Sequence, residues 1–132
     1  MKILIIEPPA VSKFGNQRIF GGNGSNKSDF RKPPLDLMMI SGYLKKEGFG
    51  NVLIDANASR KTIDDVREII KKESPDVVFF STSTCTIYRD LLVAKVAKEA
   101  NPSVVTVALG THVMALPEDT FRKSEYLDVI IY

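Results

Sequence analysis

This chain has almost no sulfur or imidazole. Its 132 residues include one cysteine, Cys85, and one histidine, His112. A single cysteine forms no disulfide within the chain, which suits a reducing, cytoplasmic setting. One cysteine and one histidine build no zinc or iron–sulfur centre unaided. Excess charge of one sign is lacking too. The 18 Lys and Arg residues against 16 Asp and Glu leave a net +2, too little to point to nucleic acid or a membrane surface. No apolar run approaches the ~20 residues that span a bilayer. The opening "MKILIIEPP" has four consecutive apolar residues before Glu7 and so is no secretory signal.

Familiar catalytic signatures are missing as well. "EPPAVS" follows the first apolar run where a dinucleotide fold has G-x-G-x-x-G, and no G-x-x-x-x-G-K-[ST] loop occurs. Ser81 ends the third apolar run, where a phosphoacceptor receiver has an aspartate. With a single histidine, no Ser-His-Asp or Cys-His set stands out.

What is present is a rhythm. Five short runs rich in Val and Ile occur at Ile3–Ile6, Val52–Ile54, Val77–Phe80, Val104–Leu109 and Val129–Ile131. They are mostly continuous rather than alternating, as in strands buried on both faces of a parallel sheet. Helical periods lie between them. Leu35–Glu47 places Leu35, Met38, Met39, Gly42 and Tyr43 on one broad face, expected to be buried, with Gly48 as its stop. Thr62–Glu73 opens on a Thr62 cap with Asp64 and Asp65 and closes on Lys71 and Lys72, which suits the helix dipole. Thr86–Ala100 has Ile87, Leu91, Ala94 and Ala97 in register, ended by Asn101 and Pro102. A short helix is expected from Pro117. Alternating strands and helices predict one α/β domain over residues 1–132 with right-handed crossovers. The segment 10–33, loaded with Gly, Asn and Ser, is an unusually long loop, of the kind that serves as a lid or a partner contact or is mobile. The chain stops at its fifth strand, with no helix after it, and reads as a piece of a longer protein.

In open α/β sheets, ligands bind outside the carboxyl ends of the strands. There the sequence places Pro8 and Pro9, then Asp55, then Ser81, Thr82, Ser83 and Thr84, then Gly110 to Asp119. These groups are small, mostly neutral and rich in hydroxyls. They suit a large ligand decorated with amides or a phosphate. Gly110 lets such a ligand come close to backbone. Capping a helix would occupy one or two of the hydroxyls after the third strand, not all of them.

In order and at matching spacing, "PPLDLMMISGYLKKEG", "DANA", "SPDVVFFSTSTCTIY" and "ALGTHVMALPED" resemble the N-terminal cobalamin-binding domain of cobalamin-dependent radical SAM enzymes. The resemblance covers nearly the whole chain. It implies a flavodoxin-like Rossmann three-layer sandwich with five parallel strands in the order 2-1-3-4-5. It implies a bound cobalamin whose lower ligand is displaced, its nucleotide tail in a slot beside the third and fourth strands. Ser81, Thr82, Ser83 and Thr84 would then line the tail and its phosphate, and Gly110, Thr111, His112 and Val113 the floor. The corrin would rest over the strand ends and face a radical SAM domain, in cis or in trans. S-adenosylmethionine and the iron–sulfur cluster would belong to that domain, because its C-x-x-x-C-x-x-C set is absent here. The chain alone is then not catalytic, and the parent enzyme is a methyltransferase or a related catalyst.

The chain departs from the family pattern at several positions. Leu109 replaces a glycine and so narrows the tail slot, and Thr111 replaces a proline. Met114 stands where threonine is common, and Asp36 where glycine is. His112 is read as a hydrogen-bonding loop residue, not a cobalt ligand. Cobalt-ligating histidines of the related motif class follow the first strand, where this chain has Glu7, Pro8 and Pro9. Asp55 either caps its turn with Asn57 or touches the ligand. Cys85 is expected to be partly buried at a helix start. Two rivals remain at this point: a stand-alone α/β module for a flavin or nucleotide, and a degenerate interaction domain that dimerises through an uncovered fifth strand.

Overall fold

The computed structural model of the chain describes residues 1–16, 18 and 31–132. Most of the long loop at 10–33, and with it the expectation of a lid or mobile segment, lies outside the described residues. The five apolar runs become β1 (Ile3–Glu7), β2 (Asn51–Asp55), β3 (Val77–Thr82), β4 (Val105–Gly110) and β5 (Val129–Ile131). All pair in parallel, in the order β2-β1-β3-β4-β5. This is the flavodoxin-like α/β arrangement that the resemblance implied. β1 is buried along its whole length, as a strand with helices on both faces should be. The edge strands β2 and β5 are only half-buried, so continuous burial holds for the middle of the sheet and not for its edges.

The helices are α1 (Leu35–Lys46), α2 (Ile63–Glu73), α3 (Ile87–Asp90), α4 (Leu92–Ala100), α5 (Thr111–Ala115) and α6 (Pro117–Lys123). α2 starts where its cap was expected. The Thr62 hydroxyl accepts from the Asp65 N–H, and the Asp65 carboxylate accepts from the Thr62 N–H at 2.7 Å. The helix foreseen over Thr86–Ala100 forms as two pieces that meet at Leu91, with the Asp90 carboxylate bonded to Thr86 and Ser83 at the start of the first. α5 was not foreseen; it packs immediately after β4 in a stretch with no periodic signal of its own.

One face of the sheet holds the larger core. Leu4, Ile6, Val78, Phe80 and Ala108 meet Val66 and Ile70 of α2 and Val93, Val96 and Ala97 of α4. The other face carries Ile3, Ile5, Val77, Phe79 and Leu109 and packs on Leu37, Ile40 and Leu44 of α1. Here the structure corrects the sequence reading of α1. Leu35, Met38, Met39 and Tyr43 are exposed, and the buried face is that of Leu37 and Ser41. Among the described residues α1 alone covers this side of the sheet. Val105, Val129 and Ile131 are exposed there, beside the half-buried Phe79.

Candidate functional site

The C-terminal rim of the sheet brings together the residues expected there, but most of the hydroxyls point inward. β3 extends two residues past Phe80, so Ser81 and Thr82 are strand residues with buried side chains. The Ser81 hydroxyl donates to Glu7 Oε2. Thr82 Oγ1 donates to the Leu109 carbonyl at 2.8 Å, which ties the exits of β3 and β4 together. Ser83 Oγ lies 2.8 Å from Thr86 Oγ1. Thr84 is exposed, and its hydroxyl lies 3.3 Å from His112 Nδ1. The α3 cap bond expected of these residues is absent: Thr86 occupies the cap position and its side chain makes no cap bond. Cys85 is exposed rather than partly buried, although Ser83 and Thr86 of the same turn are buried.

Beneath the rim lies a buried charge cluster that sequence reasoning missed. Arg18 is fully enclosed. Its Nη1 donates to Glu7 Oε1 at 2.9 Å and to the Pro8 carbonyl at 3.1 Å. Its Nη2 donates to the Pro9 carbonyl at 3.0 Å and to Asp90 Oδ1 at 2.8 Å, and its Nε donates to the same oxygen at 3.0 Å. Asp90 Oδ2 accepts from the Ser83 N–H at 3.0 Å and from Thr86 Oγ1 at 2.5 Å. One guanidinium thus faces two carboxylates out of water. Burial pushes the Glu7 carboxyl up to about 7, against the pull of Arg18 and the Ser81 hydrogen bond. Burial also raises Asp90. Arg18 loses hydration, yet Asp90 and Glu7 hold its proton more firmly than usual. The signals in the sequence were an acid directly after a buried strand, and an acid inside the apolar stripe of a helix.

Gly110 and its neighbours form the other half of the rim. Gly110 sits at φ +115, and a Cβ there would meet the Thr82 carbonyl oxygen at 2.4 Å. Only glycine permits that approach. Leu109 is buried in the α1-side core, and Thr111 is half-buried. His112 and Val113 are buried; Val113 joins the larger core and so faces away from the rim. The His112 Nε2 atom is buried and lies 3.5 Å from Asp119 Oδ2, a carboxylate that Lys123 also engages. Asp55 closes its own turn: Oδ1 accepts from the Ala58 N–H at 2.7 Å, and its carbonyl accepts from Ser59 Oγ at 2.5 Å.

The set was tested for its fit to a corrinoid, a large ligand fringed with neutral amides. The exposed Thr84 and the half-buried Gly110 and Thr111 at the β3 and β4 exits are uncharged. The apolar face with Phe79, Val129 and Ile131 runs away from them and offers a surface for a flat base. The chemistry of these groups suits such a ligand, whereas the hydroxyls of Ser81, Thr82 and Ser83 are bonded inside.

Known proteins give an independent measure. The family model described as the B12 binding domain matches residues 25–132. An uncharacterized methyltransferase of Pyrococcus horikoshii is 34% identical over 131 residues, 99% of this chain and 26% of that protein. The anaerobic magnesium-protoporphyrin IX monomethyl ester cyclase of Rubrivivax gelatinosus is 33% identical over 100 residues, 75% of this chain and 18% of that protein. The cobalamin-dependent radical SAM methyltransferase TokK of Streptomyces tokunonensis is 40% identical over 58 residues, 44% of this chain and 8% of that protein. The chain therefore spans about a quarter or less of the length of each of these relatives.

Proposed function

The chain belongs to the B12-binding domain family, and from that premise we propose that it holds a corrinoid at the rim of β3 and β4 and presents it to a radical SAM domain. The observation that carries this is the pairing of a neutral polar rim with an open apolar sheet face. The rim runs through Thr84, Gly110 and Thr111; the face runs through Phe79, Val129 and Ile131. Phe79, Val129 and Ile131 would hold the nucleotide base beside Leu109, and Thr84 would bind the tail's phosphate. Pro8 and Pro9, pinned through their carbonyls by Arg18, form the fixed edge under the corrin. The corrinoid, when bound, supplies methyl-carrying or electron-transfer chemistry; the protein supplies binding and orientation. S-adenosylmethionine and an iron–sulfur cluster belong to the partner domain, which completes a methyltransferase or related enzyme.

Titration with hydroxocobalamin and methylcobalamin, followed by gel filtration and an absorption spectrum, tests this. One corrin should co-elute per chain, and Val129→Lys should weaken uptake about tenfold or more, equivalent to about 1.4 kcal/mol. No co-eluting corrin from a chain whose circular dichroism shows an intact fold would favour a degenerate interaction domain. The same column reads oligomeric state, since β5 has a free edge along which two copies could pair. No helix among the described residues is long and apolar enough to cross a membrane. A cytoplasmic location suits the exposed thiol of Cys85.

A further inference from the structure

A second concavity opens at the same end of the sheet but on the other side of β1. It lies between the exit of β1, the loop from β2 to α2 and the start of α4, and has a volume of about 450 Å³. That is within the range of small-molecule sites. Five cations line it: Lys13, Arg31, Arg60, Lys61 and Arg89. No Asp or Glu is among its described lining residues. The whole chain carries only +2, so this gathering is not the average of its surface. Like charges around one concavity repel each other, and low-dielectric walls focus their field on anything that enters.

The geometry of these cations is set by the backbone. Arg31 joins two loops: its Nη1 donates to the Asn57 carbonyl at 2.8 Å and its Nη2 to the Lys13 carbonyl at 3.1 Å. Arg60 is held at φ +54, a left-handed conformation that non-glycine residues adopt rarely. Lys13, Lys61 and Arg89 make no ion pair among the described residues. Pro9, Ile63 and Leu92 supply an apolar wall beside this charge.

We propose that this cavity binds a small phosphorylated molecule of about nucleoside-diphosphate size. The phosphates lie among Lys61, Arg89 and Lys13, and the organic portion packs on Ile63 and Leu92. Guanidinium and ammonium groups together suit phosphate oxygens, through forked hydrogen bonds and point charge respectively. A corrin fringed with neutral amides has no use for Lys13, Lys61 and Arg89 gathered in one concavity. The cavity meets the proposed corrin site at Pro9 and runs away from it toward Lys61 and Ile63, so it goes beyond that reading.

Calorimetric titration of the chain with ADP, with adenosine as the uncharged control, tests the proposal. ADP should give a saturable heat and adenosine none. The ADP affinity should fall about tenfold or more in Arg89→Glu and in Lys61→Glu, and also on raising salt from about 50 mM to about 300 mM. Arg89 is exposed and Lys61 half-buried, and circular dichroism checks that each variant is folded. Hydroxocobalamin uptake should be unchanged in both, which separates the two sites. The proposal is overturned by no saturable heat with ADP, by affinity that ignores both substitutions, or by loss of corrin uptake in the folded variants.

Discussion

Glu7 shows how one residue can be legible in position and illegible in role. It ends β1 after four buried apolar residues, so its arrival at the rim was clear from the sequence. That it would sit 2.9 Å from Arg18 was not, because Arg18 comes from a loop with no periodicity. The same limit applies to Ser81, Thr82 and Ser83. Composition showed a hydroxyl cluster but not the direction of each hydroxyl, and the partners that turn them inward come from distant segments. The Glu7 environment makes a testable demand. With its carboxyl raised from 4.5 to about 7, the folded state keeps a proton that the unfolded chain releases between those values. Stability must then fall as pH rises across that window and level off above it, and the raised Asp90 adds in the same direction. Urea midpoints at about pH 5 and about pH 8 should show the decline, and Glu7→Gln should flatten it. A midpoint that climbs with pH, or an equal decline in the variant, would refute this account of the cluster.

At the scale of elements, caps and stops were the most legible features. Thr62 begins α2 because its hydroxyl and the Asp65 carboxylate bond reciprocally. Gly48 follows α1 at φ +84, a conformation natural to glycine. The face of α1 was misjudged because apolar residues occur nearly all round it, and periodicity cannot then choose between Met39 and Leu37. Packing chose Leu37, which reaches Ile3, Ile5 and Leu109. The consequence is a contrast between two neighbouring large apolar side chains. Leu37→Ala should cost about 2–5 kcal/mol by denaturant melts. Met39→Ala, at 75% exposure, should stay within about 0.5 kcal/mol. Equal costs would mean that the exposed stripe is buried in solution, for instance against a second copy.

For the whole molecule, layering followed from the alternation of strands and helices, because parallel strands need crossover helices, whereas the strand order was implied only by the family resemblance. What the rhythm did not reveal was the imbalance between the two sides of the sheet. α2, α4 and the turns after β4 build one large core, while α1 alone covers the other side among the described residues. Stability should therefore grade across the sheet. β1 has a neighbour on each side and is buried throughout, and β3 is likewise central. β5 is three residues long, pairs only with β4 and is half-exposed. Local opening follows such differences in burial and pairing. Native-state hydrogen exchange should find the amides of β1 and β3 opening only with global unfolding, and those of β5 opening at far lower free energy. Saturating hydroxocobalamin should then slow exchange most in β5 and at residues 82–84, because the proposed base covers the face that is open without it. Slowing confined to the β2–α2 loop would instead place the corrin in the basic cavity, and the assignment of both sites would have to be reversed.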